Sequence, residues 1–285
     1  MLQSLKAIKN RIRSIENTRK VTSAMQMISA TKLNRLGNAL SLSRPYFQRL
    51  QALLNNLTKG IDMAFNPFFK ARPVKERIVL CVITSDNGLC GAYNNNIIHL
   101  AEGFISNYEK DKIRLVIAGK KGYNYFKKFY NDNILHAYLG LNGIFSQEVS
   151  DEIAKRLIDI FLSQEADEVH IAYTHFKNAL VNKPLITKFL GIEQGAGEKI
   201  DYIFEPDILQ VLQELVPKYL AMKIEFILLE AFTCEHSSRL ISMKMATENA
   251  KDLLHQLTLL KNKVRQANIT REIIEIISSA EALKG

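Results

Sequence analysis

The sequence predicts an α/β protein in which a long antiparallel coiled coil of N- and C-terminal helices carries an inserted, mostly parallel α/β domain. Three observations predict it: the placement of helix breakers, an apolar seam at each end of the chain, and alternating strand and helix patterns between them. The 285 residues are 47% apolar and 24% charged, a globular composition with enough length for one large or two ordinary domains. The first glycine is Gly37 and the first proline Pro45, and eleven of the thirteen glycines fall between Gly60 and Gly197. From Lys218 to Lys284 neither breaker occurs. As α-helix that run would reach about 100 Å, against roughly 40–50 Å for a compact domain of this mass, so it is expected to project, bend or be sheathed.

The N-terminal element is expected over residues 1–60. Leu5, Ile8, Ile12 and Ile15 repeat at helical spacing, with Val21, Met25 and Ile28 continuing the stripe after a drift in phase. The inserted domain is expected over 74–200. There the β-branched runs Arg77–Thr84, Ile113–Ala118 and Val169–Tyr173 alternate with helical stretches near Asn94–Tyr108, Lys121–Tyr130 and Glu148–Ser163, and Leu185–Leu190 is a candidate further strand. That alternation is the signature of a Rossmann-like, mostly parallel sheet with helices on its faces. The C-terminal element is expected over 206–284. In it Met243, Ala246, Ala250, Leu253, Leu257, Leu260, Val264 and Ala267 recur at alternating spacings of three and four, the seam of a supercoiled helix. Neither stripe is wide enough to form a core alone, so the terminal helices are expected to pair with each other.

The net charge of +9 belongs to one segment. Residues 1–60 hold eleven lysines and arginines against a single acid, Glu16, which leaves the rest of the chain near −1. Such a segment reads as a targeting peptide, a nucleic-acid arm, a membrane-surface helix or a face for an acidic protein partner. The helical pattern runs past the length of a targeting peptide. No aromatic residue precedes Tyr46, so stacking platforms for a nucleic acid are missing from that stretch. A basic coiled-coil protein that binds nucleic acid is the alternative reading. The most oily run, Ile224–Phe232, is broken by Glu225 and Glu230, so no bilayer span is expected.

Catalytic motifs are weak. Thr84–Gly91 (TSDNGLCG) follows the first strand, where ligands often bind, but Cys90 lacks a histidine marked out as its base. Asp86-Asn87-Gly88 is explained as a tight turn and Cys90 as a small buried side chain. Neither a phosphate loop nor a dinucleotide fingerprint is present. Cys81, Cys90 and Cys234 are too scattered for a disulfide framework and form no C-x-x-C pair. His170 and His175 fall on opposite faces of a strand rather than on one metal, and read as a strand-edge and a solvent histidine. No cofactor and no metal are expected.

Four ordered stretches carry a resemblance: Ile8–Ala30 with Thr31-Lys32-Leu33, Thr84–Asn94, Phe204-Glu205-Pro206-Asp207, and Val264–Ile277 (VRQANITREIIEII). Over essentially its full length the chain resembles the gamma subunit of F-type rotary ATP synthases. The resemblance implies a non-catalytic central-stalk (rotor) subunit that couples ion-driven rotation of the c-subunit ring to ATP synthesis and hydrolysis in an alpha-beta hexamer. Its implied partners are the alpha, beta and epsilon subunits and the c ring, with no nucleic acid and no insertion into the bilayer. Arg265 and Gln266 match a pair that contacts a beta-subunit loop, and Tyr202, Phe204 and Glu205 match the contacts with the c ring. Arg11, Arg13, Arg19, Lys20, Lys32 and Arg35 are expected to face acidic loops of the ring. Asn87, Ser23, Phe204 and Ser278-Ser279 depart from residues frequent in the family. With no presequence ahead of the first motif and no regulatory cysteine insertion, a peripheral protein on the cytoplasmic face of a bacterial inner membrane is expected.

Overall fold

A computed structural model describes residues 5–58, 67–68, 77–178, 181–191 and 208–282. The chain divides into two compact units, one holding residues 1–28 and 240–285, the other residues 29–239.

The larger unit is built on a five-stranded sheet in the order β3-β2-β1-β4-β5. The strands are β1 (Ile78–Ile83), β2 (Ile113–Ala118), β3 (Ile134–Tyr138), β4 (Glu168–Phe176) and β5 (Asn182–Leu190). The first four run parallel, and β5 returns antiparallel to β4. Helices α2 (Tyr93–Ile105), α3 (Lys120–Tyr130) and α4 (Gln147–Leu162) supply the crossovers. β1 is buried at every position, as a central parallel strand covered on both faces should be. Its alternate residues feed two cores: Val79, Cys81 and Ile83 pack with Leu157 and Phe161 of α4, while Leu80 and Val82 pack with Ile97 of α2 and Phe126 of α3. β5 begins at Asn182, earlier than the sequence suggested, because Pro184 is tolerated in an edge strand. β3 escaped the sequence reading: it is only five residues long, lies at the other edge, and interrupts its apolar pattern with His136.

The flanking helices are α1 (Leu5–Leu57) and α5 (Ile208–Ala282), of 53 and 75 residues. Within the larger unit Phe47 of α1 stacks on Phe226 and Tyr219 of α5, and Arg44 bonds Glu230, so rising numbers on one helix meet falling numbers on the other: the pair is antiparallel. Leu228 to Ser237 of α5 is buried at every position, including the polar Glu230, Thr233, Glu235, His236 and Ser237.

In the smaller unit Thr247 of α5 donates to the Thr22 hydroxyl of α1 at 2.9 Å. Here the seam differs from expectation. Met243, Ala250, Leu257 and Val264, spaced by seven, are buried, whereas the intervening Leu253 and Leu260 are 37% and 40% exposed and Ala267 is exposed. A single partner helix covers one heptad position fully and leaves the other at the rim. On α1, Val21 and Ile28 are both 59% exposed, whereas Thr22 is half-buried and Ser29, the first residue of the larger unit, is buried. The heptad continues without a phase drift; small hydroxyl side chains occupy the seam, and hydropathy does not see them.

Candidate functional site

The loop after β1 organises the larger unit. Thr84 donates its backbone N–H to the Ala118 carbonyl at 2.7 Å, and its hydroxyl accepts from Gly122 at 2.9 Å. Asp86 then gathers three loops: its carboxylate accepts the backbone N–H groups of Lys120 (2.9 Å), Gly140 (3.1 Å) and Asn142 (2.7 Å). The start of α3 and the segment after β3 are thereby fixed to the carboxyl end of β1. Close approach here requires glycine at 119, where φ is +103° and an added Cβ would lie 2.2 Å from the Thr84 carbonyl oxygen.

Onto this platform α5 docks with three polar groups, Glu235, His236 and Arg239. Arg239 donates to the carbonyls of Asn87 (3.1 Å) and Gly88 (3.3 Å) and pairs with Glu235 at 2.7 Å. His236 Nε2 lies 2.9 Å from the Gly143 carbonyl, and its Nδ1 lies 3.2 Å from Arg239 Nη1. A guanidinium can only donate and a carbonyl can only accept, so the imidazole is the neutral tautomer with the proton on Nε2. Its pKa is pulled down to about 4, chiefly by burial and further by the charges of Arg239 and Lys32. Burial pushes the Glu235 carboxyl up, and Arg239 opposes that shift. From α1, Lys32 donates to the Asn142 carbonyl at 3.0 Å, which brings both long helices to the same two loops.

This arrangement joins loops to helices: its donors and acceptors are largely spent on one another, with Glu235 Oε2 the one buried oxygen of the group that has no hydrogen-bond partner among the described residues. Cys90 is buried, burial raises its thiol pKa, and its sulfur meets Ser85 Oγ (3.7 Å), Asn94 Nδ2 (3.2 Å) and the Asn87 carbonyl (3.9 Å), none of them a base. An open cavity of about 840 Å³ beside it is lined by Lys121, Lys127, Lys128 and Asn94, and by neither a histidine nor a carboxylate. His170 bonds Glu168 at 2.9 Å, and His175 bonds the buried Glu230 at 2.9 Å. The His175 side chain is 40% exposed, in keeping with a histidine that faces solvent, and it also meets a carboxylate carried by α5. Among the described residues no group of three His, Cys, Asp or Glu side chains could hold a metal ion.

Of the basic residues marked on α1, Arg11, Arg13, Lys20 and Arg35 are exposed, while Arg19 and Lys32 are half-buried. The Nζ of Lys32 is engaged by Asn142. Arg265 and Gln266 are exposed on α5, and Tyr202, Phe204 and Glu205 lie outside the described residues. The departure at Asn87 is neutral to the joint, because it is the Asn87 carbonyl that Arg239 grips, while its side chain bonds Asn142 at 3.0 Å. Sequence reasoning missed Glu235, His236 and Arg239. The polar stretch Glu235–Arg239 directly after the oily run Ile224–Phe232 was the available signal.

Known proteins share this chain's family and fold. The family model described as ATP synthase matches residues 4–283. The ATP synthase gamma chain of Chlorobium phaeobacteroides (strain BS1) is 39% identical over 100% of both chains, and that of Pelotomaculum thermopropionicum 37% identical over 99% of this chain and 100% of its own. Among solved structures, a chain of the Euglena gracilis mitochondrial ATP synthase (OSCP/F1/c-ring, rotational state 3) shares the fold with a TM-score of 0.67 at 15% identity, covering 98% of this chain and 94% of that one. A chain from the central stalk and c-ring of the Tetrahymena thermophila enzyme gives 0.60 at 20% identity, covering 79% and 99%. The chain belongs to the ATP synthase gamma-chain family.

Proposed function

We propose that this chain is the turning element of its ATP synthase and carries no catalytic centre of its own. As a gamma chain it is a subunit of a membrane-associated complex, and no described helix is long and apolar enough to cross a membrane. In this reading residues 74–200 form a foot seated with the epsilon subunit on the c ring. Residues 1–60 and 206–284 form the shaft inside the alpha-beta ring, and ATP chemistry resides in those partners. The complex sits on the cytoplasmic face of a bacterial inner membrane. Each elementary charge crossing 100 mV releases about 2.3 kcal/mol, so several ion steps are gathered per ATP and delivered through this one subunit.

The observation that carries the proposal is the joint around Asp86 and Arg239, in which the buried polar groups at the carboxyl end of the sheet lock two long helices rather than receive a substrate. A foot held in this way passes twist to the helices instead of letting them slide. On the helices, basic side chains suit a rotor, because Coulomb attraction to acidic loops varies gently with angle and interlocked apolar knobs do not. Arg11, Arg13, Arg19, Lys20 and Arg35, with Lys32 also serving the joint, are proposed to face the ring. Arg265 and Gln266 are proposed to meet a beta-subunit loop, and Tyr202, Phe204 and Glu205 the c ring.

Affinity capture of the tagged chain from its own membranes tests the reading. Alpha, beta, epsilon and c subunits are expected in the eluate with ATPase activity, and the purified chain alone is expected to turn over no ATP. A chain that elutes alone, or that hydrolyses ATP by itself, overturns it.

A further inference from the structure

Glu230 of α5 is fully buried, yet its carboxylate is shared by three elements. Oε1 accepts from Arg44 of α1 at 3.1 Å, Oε2 meets Nδ1 of His175 on β4 at 2.9 Å, and the hydroxyl of Tyr173 on β4 reaches the same group. Arg44 also donates to the carbonyl of Phe176 at the end of β4, at 3.1 Å. Each of the two long helices is thus bonded to the other and to the same strand. One turn along α1, Phe47 stacks on Phe226 (centroids 4.6 Å apart, 13° between planes) and Tyr219 (5.9 Å, 9°). Between the two grips lies Pro45, which has no N–H for the carbonyl of Ser41 and so marks a point where α1 bends more easily.

An apolar core would seat these helices at lower desolvation cost than a buried ion pair. What apolar contact lacks is direction: it is roughly proportional to area and tolerates sliding, whereas hydrogen bonds require defined distances and angles. We propose that Arg44, Glu230 and His175 form a torque clasp, a set of positioning residues that holds the rotational register of α1, α5 and the sheet across the weak point at Pro45. Twist applied to the sheet then reaches both helices together. This inference rests on the reading of the chain as a rotor. The joint at Asp86 ties helices to loops; the clasp ties them to a strand.

The test uses the whole complex in vesicles, with stall torque read from a bead on this chain and ions pumped per ATP read in parallel. Three variants are compared: Glu230→Gln, Arg44→Met combined with Glu230→Met, and Arg44→Lys. The paired methionines keep volume and remove both charges, a change expected to cost less stability than removing either charge alone. Arg44→Lys keeps the charge at a half-exposed position, where folding survives, but cannot span Glu230 and the Phe176 carbonyl together. The clasp predicts a loss of about twofold or more in stall torque and in ions pumped per ATP for the first two variants, and an intermediate loss for Arg44→Lys, with ATP hydrolysis retained. Wild-type torque and pumping in whichever of these variants assemble overturn the clasp. Absence of rotation in the wild-type complex would instead sink the rotor reading, so the two failures are distinguishable.

Discussion

At Gly143 the backbone takes φ of +61° and an added Cβ would sit 2.5 Å from His236 Nε2, so this position is set both by conformation and by the docked imidazole. Gly143→Ala is expected to destabilise the chain by about 2–4 kcal/mol in urea unfolding, by combining left-handed strain with a clash at the joint. The imidazole itself makes stability depend on pH. Its folded pKa, about 4, lies below the unfolded value near 6.5, so the unfolded chain binds the extra proton more readily. The contribution is therefore fully present above about pH 6.5 and is lost as pH falls towards 4, on the order of 3 kcal/mol at most. His236→Gln should flatten that part of the profile, and the difference between wild type and variant at pH 7, 5 and 4 measures it. Arg239 carries the remaining weight. Removing it leaves Glu235 as an uncompensated buried charge, so Arg239→Met is expected to cost about 3–5 kcal/mol, and Glu235→Gln combined with Arg239→Met distinctly less.

Among the elements, the seam of the smaller unit separates two classes of leucine. Leu257→Ala, at a buried heptad position, is expected to cost about 2–3 kcal/mol, and Leu260→Ala, 40% exposed, under about 1 kcal/mol when the chain is unfolded alone. Much of this architecture was legible in the sequence, because breaker placement and apolar period are written directly in residue type. The strands β1, β2 and β4 announce themselves as β-branched runs, and the C-terminal seam was legible at Met243, Ala250, Leu257 and Val264 but not in the exposure of Leu253, Leu260 and Ala267. The inward face of α1 near residue 22 was not legible. There a helix–helix contact runs through Thr22, while Val21 and Ile28 turn outward, so the local hydropathy points to the wrong face. β3 was hidden for a related reason: an edge strand needs little apolar surface to be held. The joint was only half visible. Its Asp86 turn could be read, whereas the groups that complete it come from α5, about 150 residues further along the chain, and sequence spacing carries no sign of that meeting.

For the whole molecule, the concentration of charge in residues 1–60 makes electrostatics the natural lever. Reversing Arg11, Arg13, Lys20 and Arg35 together should leave the alpha-beta ring able to assemble while it weakens coupling, seen as fewer ions pumped per ATP; undiminished torque would count against the basic face as a bearing. The central claim is that this chain turns while the alpha-beta ring holds still. The most direct measurement anchors the complex through its beta subunits, fixes a bead to the sheet-bearing unit of this chain, and adds ATP. The account predicts rotation in one direction with pauses at three orientations. A bead that stays fixed relative to the ring while ATP is hydrolysed at the normal rate would contradict it.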